Sequence, residues 1–154
     1  MNFFSFLKGT RPPLVDQSLN DLGAMLDTAD TMFAAATNCL LDNEELKVDL
    51  SAMDQTINTG EQNIRRAVLE HLLSDPREEL SLSLLLISIV QDAERCGDLA
   101  KSIAKASDLA DAPRMGRHVE ALRPIRDQVQ AAFPQVRRSF IVGDERAARK
   151  VMEE

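Results

Sequence analysis

The sequence predicts an all-α fold, an up-down bundle of long antiparallel helices. Three observations carry this. Aromatic residues are 4% of the chain, with no Trp or Tyr, and the apolar content is mainly Leu, Ala, Ile, Val and Met, residues that pack along helices. Six Gly and six Pro in 154 residues are too few for a turn-rich β fold. Apolar residues recur at steps of three and four over several long stretches, the period of an amphipathic helix. The length suffices for one domain with its own core.

Residues 1–15 read as an N-terminal arm. Its Phe-rich start, Met1 to Lys8, is too short for a secretory apolar core and lacks a preceding cationic segment. One Lys is a poor membrane anchor, so packing against the bundle end is the better reading. Arg11-Pro12-Pro13 separates the arm from the first helix, with Asp16 or Ser18 as N-cap. Leu19, Leu22, Met25, Leu26, Ala29, Met32, Phe33, Ala36 and Leu40 make its apolar stripe, and Asp42-Asn43 ends it. A second helix carries Leu46, Leu50, Met53, Ile57, Ile64, Val68 and Leu72, and stops before Pro76, which disfavours helical geometry at the residue preceding it.

The third helix is expected from about Arg77–Glu79 to Ser107. Its first half, Leu80 to Val90, is almost continuously apolar, which suits the most central helix. Three helices of this length, each roughly 40 Å at about 1.5 Å per residue, with short connections, make an up-down bundle. After Asp111-Ala112-Pro113 a fourth run carries Val119, Leu122, Ile125, Val129, Phe133, Val136 and Phe140. Pro124 and Pro134 lie inside it, so kinks or a break are expected. A last helix runs from Glu145 to Glu154. The stretch Cys39 to Leu46 is echoed by Ser139 to Arg146, about 100 residues on. If this is a true repeat, the fourth helix restarts the first, and the chain stops where the counterpart of Asp54 would stand. The domains are then an arm (1–15), a three-helix repeat (16–110) and a partial second repeat (111–154).

A formal charge of −7 argues against a nucleic-acid backbone or an anionic membrane surface as partner. No stretch approaches the roughly 20 apolar residues of a membrane span. Cys39 and Cys96 sit in apolar helical patterns and form no CxxC or Cys/His zinc spacing; they read as small buried hydrophobes in a reducing compartment.

The chemistry-bearing positions are carboxylates. Glu94 and Asp98, four residues apart, lie roughly 40° apart on one helix face and border its apolar stripe. Like charges so placed repel and call for compensation, by a bound cation or by ordered Arg and Lys partners. Asp54, Asn58 and Glu61 form a matching stripe on the second helix, which an antiparallel bundle brings beside Glu94 and Asp98. An oxygen-rich set of this kind suits Mg, Mn, Fe or Ca. The competing reading is a solvated salt-bridge face, with Lys101, Ser102 and Lys105 near Asp98. Neither motif contains His, so the Glu-x-x-His pairs of di-iron bundles are missing. No Gly-rich phosphate loop and no nucleophile–base set can be named, and no enzyme is expected. Gly97, with Ala93, Ala100 and Ala104, forms a small-residue ridge for close helix contact. His71 and His118 are isolated. Arg65-Arg66 and Arg137-Arg138 suit ordinary salt bridges better than an anion site.

The run Asp92-Ala93-Glu94-Arg95-Cys96-Gly97-Asp98, continued by Leu99 to Ala104, resembles the third-helix signature of the PhoU family, Glu-Arg-Ile-Gly-Asp followed by a helical stretch ending near Ile-Ala. Asp54-Gln55-Thr56-Ile57-Asn58-Thr59-Gly60-Glu61 is similar to the companion motif, Asp-x-x-Ile-Asn/Asp-x-x-Glu, and Phe33 with its Ala-rich surroundings resembles the family's first helix. The resemblance covers about residues 16–110 and implies a three-helix-bundle repeat, usually in tandem. It further implies a non-enzymatic, cytoplasmic regulator of phosphate uptake that represses the phosphate-starvation response. Such proteins work with a phosphate ABC transporter and a sensor histidine kinase. Some members hold iron or zinc clusters on E/D-x-x-x-D motifs; by position Glu94 and Asp98 match the acidic pair and Asp54 the first acid of the helix-two motif. Iron, zinc, magnesium or manganese on Glu94, Asp98, Asp54, Asn58 and Glu61 is therefore the metal expectation. The chain departs from the pattern at Asn58, where Asp often stands, at Cys96, which replaces Ile, and in carrying one full repeat, which a homodimer would complement. Two other roles fit the same pattern: an accessory domain of a sodium- or proton-coupled phosphate transporter, and a general helical oligomerisation module.

Overall fold

A computed structural model describes residues 13–74, 80–110 and 113–153. They form five helices: α1 (Pro13–Asp42), α2 (Leu50–Ser74), α3 (Leu80–Asp108), α4 (Arg117–Ile141) and α5 (Glu145–Glu153). The all-α expectation holds. Residues 1–12 of the N-terminal arm, the turn at Pro76, the expected start of the third helix at Arg77–Glu79 and the Asp111-Ala112 connection lie outside the described residues, and Pro13–Val15, read as the end of the arm, belong to the first helix.

Local chemistry sets the helix ends. α1 starts at Pro13, earlier than the expected cap at Asp16 or Ser18. A proline in the first turn loses only an N–H that has no helical partner there. Ser18 is already inside the helix, its Oγ donating to the Leu14 carbonyl at 2.8 Å. α2 starts at Leu50, and Leu46 lies in the connection before it. Asp49 caps α2: its Oδ1 accepts from the N–H groups of Ser51 and Ala52. Asp144 caps α5 in the same way, through Arg146 and Ala147.

α1 packs against α2, α3 and α4, and α2 and α3 pack on each other. The central helix is therefore α1, not α3 as the apolar run Leu80–Val90 suggested. The run places Leu on every side of α3, but the bundle covers one side. Leu82, Leu86 and Val90 are buried, while Leu80 and Leu84 stay exposed. The core is a seam of Leu19, Leu22, Met25, Ala29 and Met32 from α1, Ile57 and Ile64 from α2, and Val90, Ala93 and Ala100 from α3. Each fully buried large aliphatic side chain here contributes about 1.5–3 kcal/mol relative to exposure.

α4 lies antiparallel along α1. Gly23 and Asp27 meet Ile141 and Arg137, Phe33 meets Phe133, and Asp42 meets Arg123 and Arg126. The helix is continuous through Pro124 and Pro134, so no break occurs. Both prolines lie on exposed positions, where water can take the carbonyls left without helical donors. Ion pairs to α1 flank them on both sides.

The ends of α1 and α4, 100 residues apart, share a backbone feature. Asn43, just after α1, has φ 57°, and Gly143, after α4, has φ 69°. Both take the left-handed conformation common at helix ends. The stripe is repeated too, but its surroundings are not. Leu22, Met25 and Ala29 are almost wholly buried under α2 and α3, whereas Leu122, Ile125 and Val129 are exposed by 45%, 56% and 39%. The first half of α4 thus turns Arg123, Arg126 and Gln130 toward α1 and an apolar side outward, while Phe133, Val136, Phe140 and Ile141 of its second half pack against the core. No helix of the described residues is long and apolar enough to cross a membrane.

Candidate functional site

The acidic seam between α2 and α3 exists because the two helices come close beside it. A Cβ on Gly97 would sit 2.8 Å from Ile57 Cδ1 and 3.9 Å from Asp54 Oδ1. Glycine at this point of α3 is what lets Ile57 fill the gap, and with it Asp54 is brought under α3. The small-residue ridge read from Ala93, Gly97, Ala100 and Ala104 is buried as expected. Gly60 plays the same part against α1, where a Cβ would meet Met25 Cγ at 2.7 Å; this second close approach carried no recognisable sequence signal.

The five candidate residues converge on one side of this contact. Lys101 Nζ lies 2.7 Å from Asp54 Oδ2 and 2.8 Å from Asp98 Oδ1, bridging α2 and α3. Asn58 Nδ2 donates to Asp54 Oδ2 at 3.3 Å. Asp54 Oδ1 is buried with no hydrogen-bond partner. Glu61 is engaged by Arg65, whose Nη2 lies 2.8 Å from its Oε1.

The carboxyl groups of the seam act on one another electrostatically. Burial pushes the Glu94 carboxyl up from its ordinary value, and the charges of Asp98 and Glu61, a hydrogen bond with Asp98 and the charge of Asp54 add to the rise. Asp98 moves the other way, held down chiefly by its hydrogen bond and charge contact with Lys101. Lys101 is raised by its hydrogen bonds to Asp54 and Asp98. The cluster is thus one network in which Lys101 supplies the positive charge and Glu94 is the acid most favoured to keep a proton.

This arrangement does not fit a metal ion as it stands. The ammonium of Lys101 takes the place between Asp54 and Asp98 that a cation would need. Among the described residues no group of three or more His, Cys, Asp or Glu side chains is disposed to hold a metal. A groove of about 350 Å³ between α1 and α2, lined by Asp21, Gln55, Thr56, Thr59 and Asn63 among others, includes none of the five candidates.

A PhoU domain pattern matches residues 22–107, more than half of the chain. The chain belongs to the PhoU family. No curated protein and no solved structure matches it. The matched span holds most of α1 and nearly all of α3, with α2 between them, and so includes both acidic motifs and Lys101. Membership places the chain in a phosphate-transport regulatory, non-enzymatic family.

Other sequence candidates resolve into structural contacts. Arg65, Arg137 and Arg138 pair with Glu61, Asp27 and Asp144. His71 is buried, and His118 is exposed beside Arg117. The cysteines are free; Cys39 Sγ lies 2.9 Å from Ser107 Oγ. Two features escaped the sequence reading. One is the reach of Lys101 across to Asp54, of which only the local Asp98–Lys101 spacing was visible. The other is Arg114, whose guanidinium donates to the Ser107 and Cys39 carbonyls while Asn43 exchanges hydrogen bonds with its backbone. It ties the ends of α1 and α3 together over 71 or more residues of sequence.

Proposed function

We propose that this chain is a non-enzymatic adaptor in phosphate homeostasis, a PhoU-type regulator that lowers phosphate-starvation signalling when phosphate is plentiful. The observation that carries the reading is the PhoU match over residues 22–107, with both acidic motifs meeting on one helix seam. A bundle braced by ion pairs on two sides is suited to presenting a fixed surface to a membrane-associated phosphate transporter or sensor kinase. The same seam supplies an acidic face that would recognise a basic segment on such a partner. Self-association belongs to the proposal. An antiparallel α4–α4 pair with its two-fold between Ile125 and Arg126 would set Leu122 of one copy opposite Val129 of the other, with Ile125 between them. Sedimentation of the chain over a range of concentrations tests that point.

The functional test is deletion of the coding sequence in its host, with a phosphate-starvation promoter as readout. The reading predicts expression in phosphate-replete medium that returns to baseline on complementation. A promoter that stays silent in the deletion strain contradicts it. Co-purification separates the two partner classes: a sensor kinase supports the signalling role, and a sodium- or proton-coupled phosphate permease supports the accessory-domain role instead.

A further inference from the structure

We infer that Lys101 is the resident cation of the acidic seam, so that this chain clamps α2 to α3 with an ammonium where its donor set would otherwise call for a divalent metal. The inference stands apart from the phosphate reading, since it concerns only what holds the cluster. Three observations combine. Nζ contacts one carboxylate on each helix, at 2.7 and 2.8 Å, the short distances of charge-assisted hydrogen bonds. Asn58 stands at the next helical turn from Asp54 and spends its amide on the same carboxylate, contributing a donor where a carboxylate would have contributed charge. Asp54 Oδ1 is buried without a partner, so the seam keeps one spare ligand oxygen that the ammonium does not use.

The chemistry follows from these contacts. An ammonium has three donors, and two of them are engaged by the bridge. A hard divalent ion would instead gather several oxygens at about 2.0–2.6 Å. It could do so here only by expelling Lys101 and drawing Glu94 or Asn58 inward. With Lys101 present, metal and lysine compete for the same carboxylates. With the lysine charge removed, Asp54, Asp98 and Glu94 are left with only the charge of Lys105 acting on Asp98, and both oxygens of Asp54 are open to a cation.

The test uses the full chain and manganese(II) as probe. Wild type should purify without stoichiometric metal, melt at the same temperature in chelator and in Mn²⁺, and give no saturable heat in titration. Lys101→Met should melt about 5 °C lower in chelator. It should then recover most of that loss in a saturable Mn²⁺ titration, while Lys101→Arg stays indifferent to metal. If Lys101→Met does not fold in chelator, refolding it in Mn²⁺ gives the same readout, with Lys101→Gln as a second neutral variant. Wild type carrying one metal ion that Asp54→Asn abolishes would overturn the inference. So would neutral variants that melt as wild type does, or that Mn²⁺ fails to rescue.

Discussion

Phe33 and Phe133, one hundred residues apart, face each other with ring centroids 5.9 Å apart and planes tilted by 42°. They occupy equivalent places on α1 and α4. A contact between equivalent residues of two antiparallel helices marks an approximate local two-fold. The neighbouring contacts agree: Asp27 to Arg137 on one side, Asp42 to Arg123 on the other. The two helices thus pair about that axis, but Leu22, Met25 and Ala29 of α1 are buried while Leu122, Ile125 and Val129 of α4 are exposed.

That asymmetry predicts a difference between two repeat-related substitutions. Leu22→Ala empties a wholly buried site and should cost about 3 kcal/mol. Leu122→Ala, at an exposed site, should cost about 0.5 kcal/mol when the chain is monomeric. Urea unfolding of both variants at low protein concentration measures this. Equal costs would show that the α4 stripe is covered within a single chain.

Gly97 sets the spacing of α2 and α3. The nearest atom to its missing side chain is the tip of Ile57, which is itself fully buried. Gly97→Ala gains helix propensity, about 1 kcal/mol, and offsets most of the strain of moving that tip. Gly97→Leu has no such room and should destabilise by about 2–3 kcal/mol. Thermal melts of the two variants should therefore fall far apart, and a Gly97→Leu melt like that of wild type would place α3 farther from α2 than described.

Glu94 and Asp98 should pull the pH profile in opposite directions. The Glu94 carboxyl is raised in the fold, so the native state holds its proton more tightly than the unfolded chain. Its contribution to stability falls as pH rises from the unfolded carboxyl value through the raised folded value, and the penalty persists above it. The Asp98 carboxyl is lowered, so its contribution is complete above the unfolded value and is lost as pH falls through the lowered one. Glu94→Gln should then raise the melting temperature at neutral pH and flatten the decline between the two Glu94 values. Stability that drops at pH 7 in this variant would contradict the placement of Glu94 beside Asp98 and Glu61.

Asp42 joins α1 to α4. Burial raises its carboxyl, but hydrogen bonds and charge from Arg123 and Arg126 outweigh this and hold it below the ordinary value. Asp42→Asn should cost about 1 kcal/mol, a modest figure because Arg123 is partly exposed. It should also remove the acid-side loss of stability that Asp42 contributes as pH falls through its lowered value. Hydrogen exchange should rise over α4 more than over α2; uniform exchange would mean that Asp42 does not anchor α4.

Periodicity made the helices and the seam legible. Leu22, Ile57 and Val90 fall on their predicted stripes, and the companion stripes Asp54–Asn58–Glu61 and Glu94–Asp98 do meet. What spacing could not reveal depends on the third dimension. Lys101 lies three residues after Asp98, which advertises a local pair, but its contact with Asp54 is fixed by how closely Gly97 lets the helices approach. The centrality of α1 was hidden because the apolar run Leu80–Val90 pointed to α3, while the partners of Asp27, Asp30 and Asp42, namely Arg137, Gln130, Arg123 and Arg126, come from α4 far along the sequence. The Arg114 tie was invisible because it spends its guanidinium on backbone carbonyls, which carry no sequence label.

The central claim is that α2 and α3 are joined at the acidic seam through the Asp54–Lys101 bridge. A double-mutant cycle of Asp54→Asn and Lys101→Met, followed by chemical unfolding in the presence of chelator, tests it most directly. The predicted result is a coupling of about 1–3 kcal/mol, each single change costing more than its increment in the double. Strictly additive costs would show that the two side chains do not act on each other, and the seam as described would not stand.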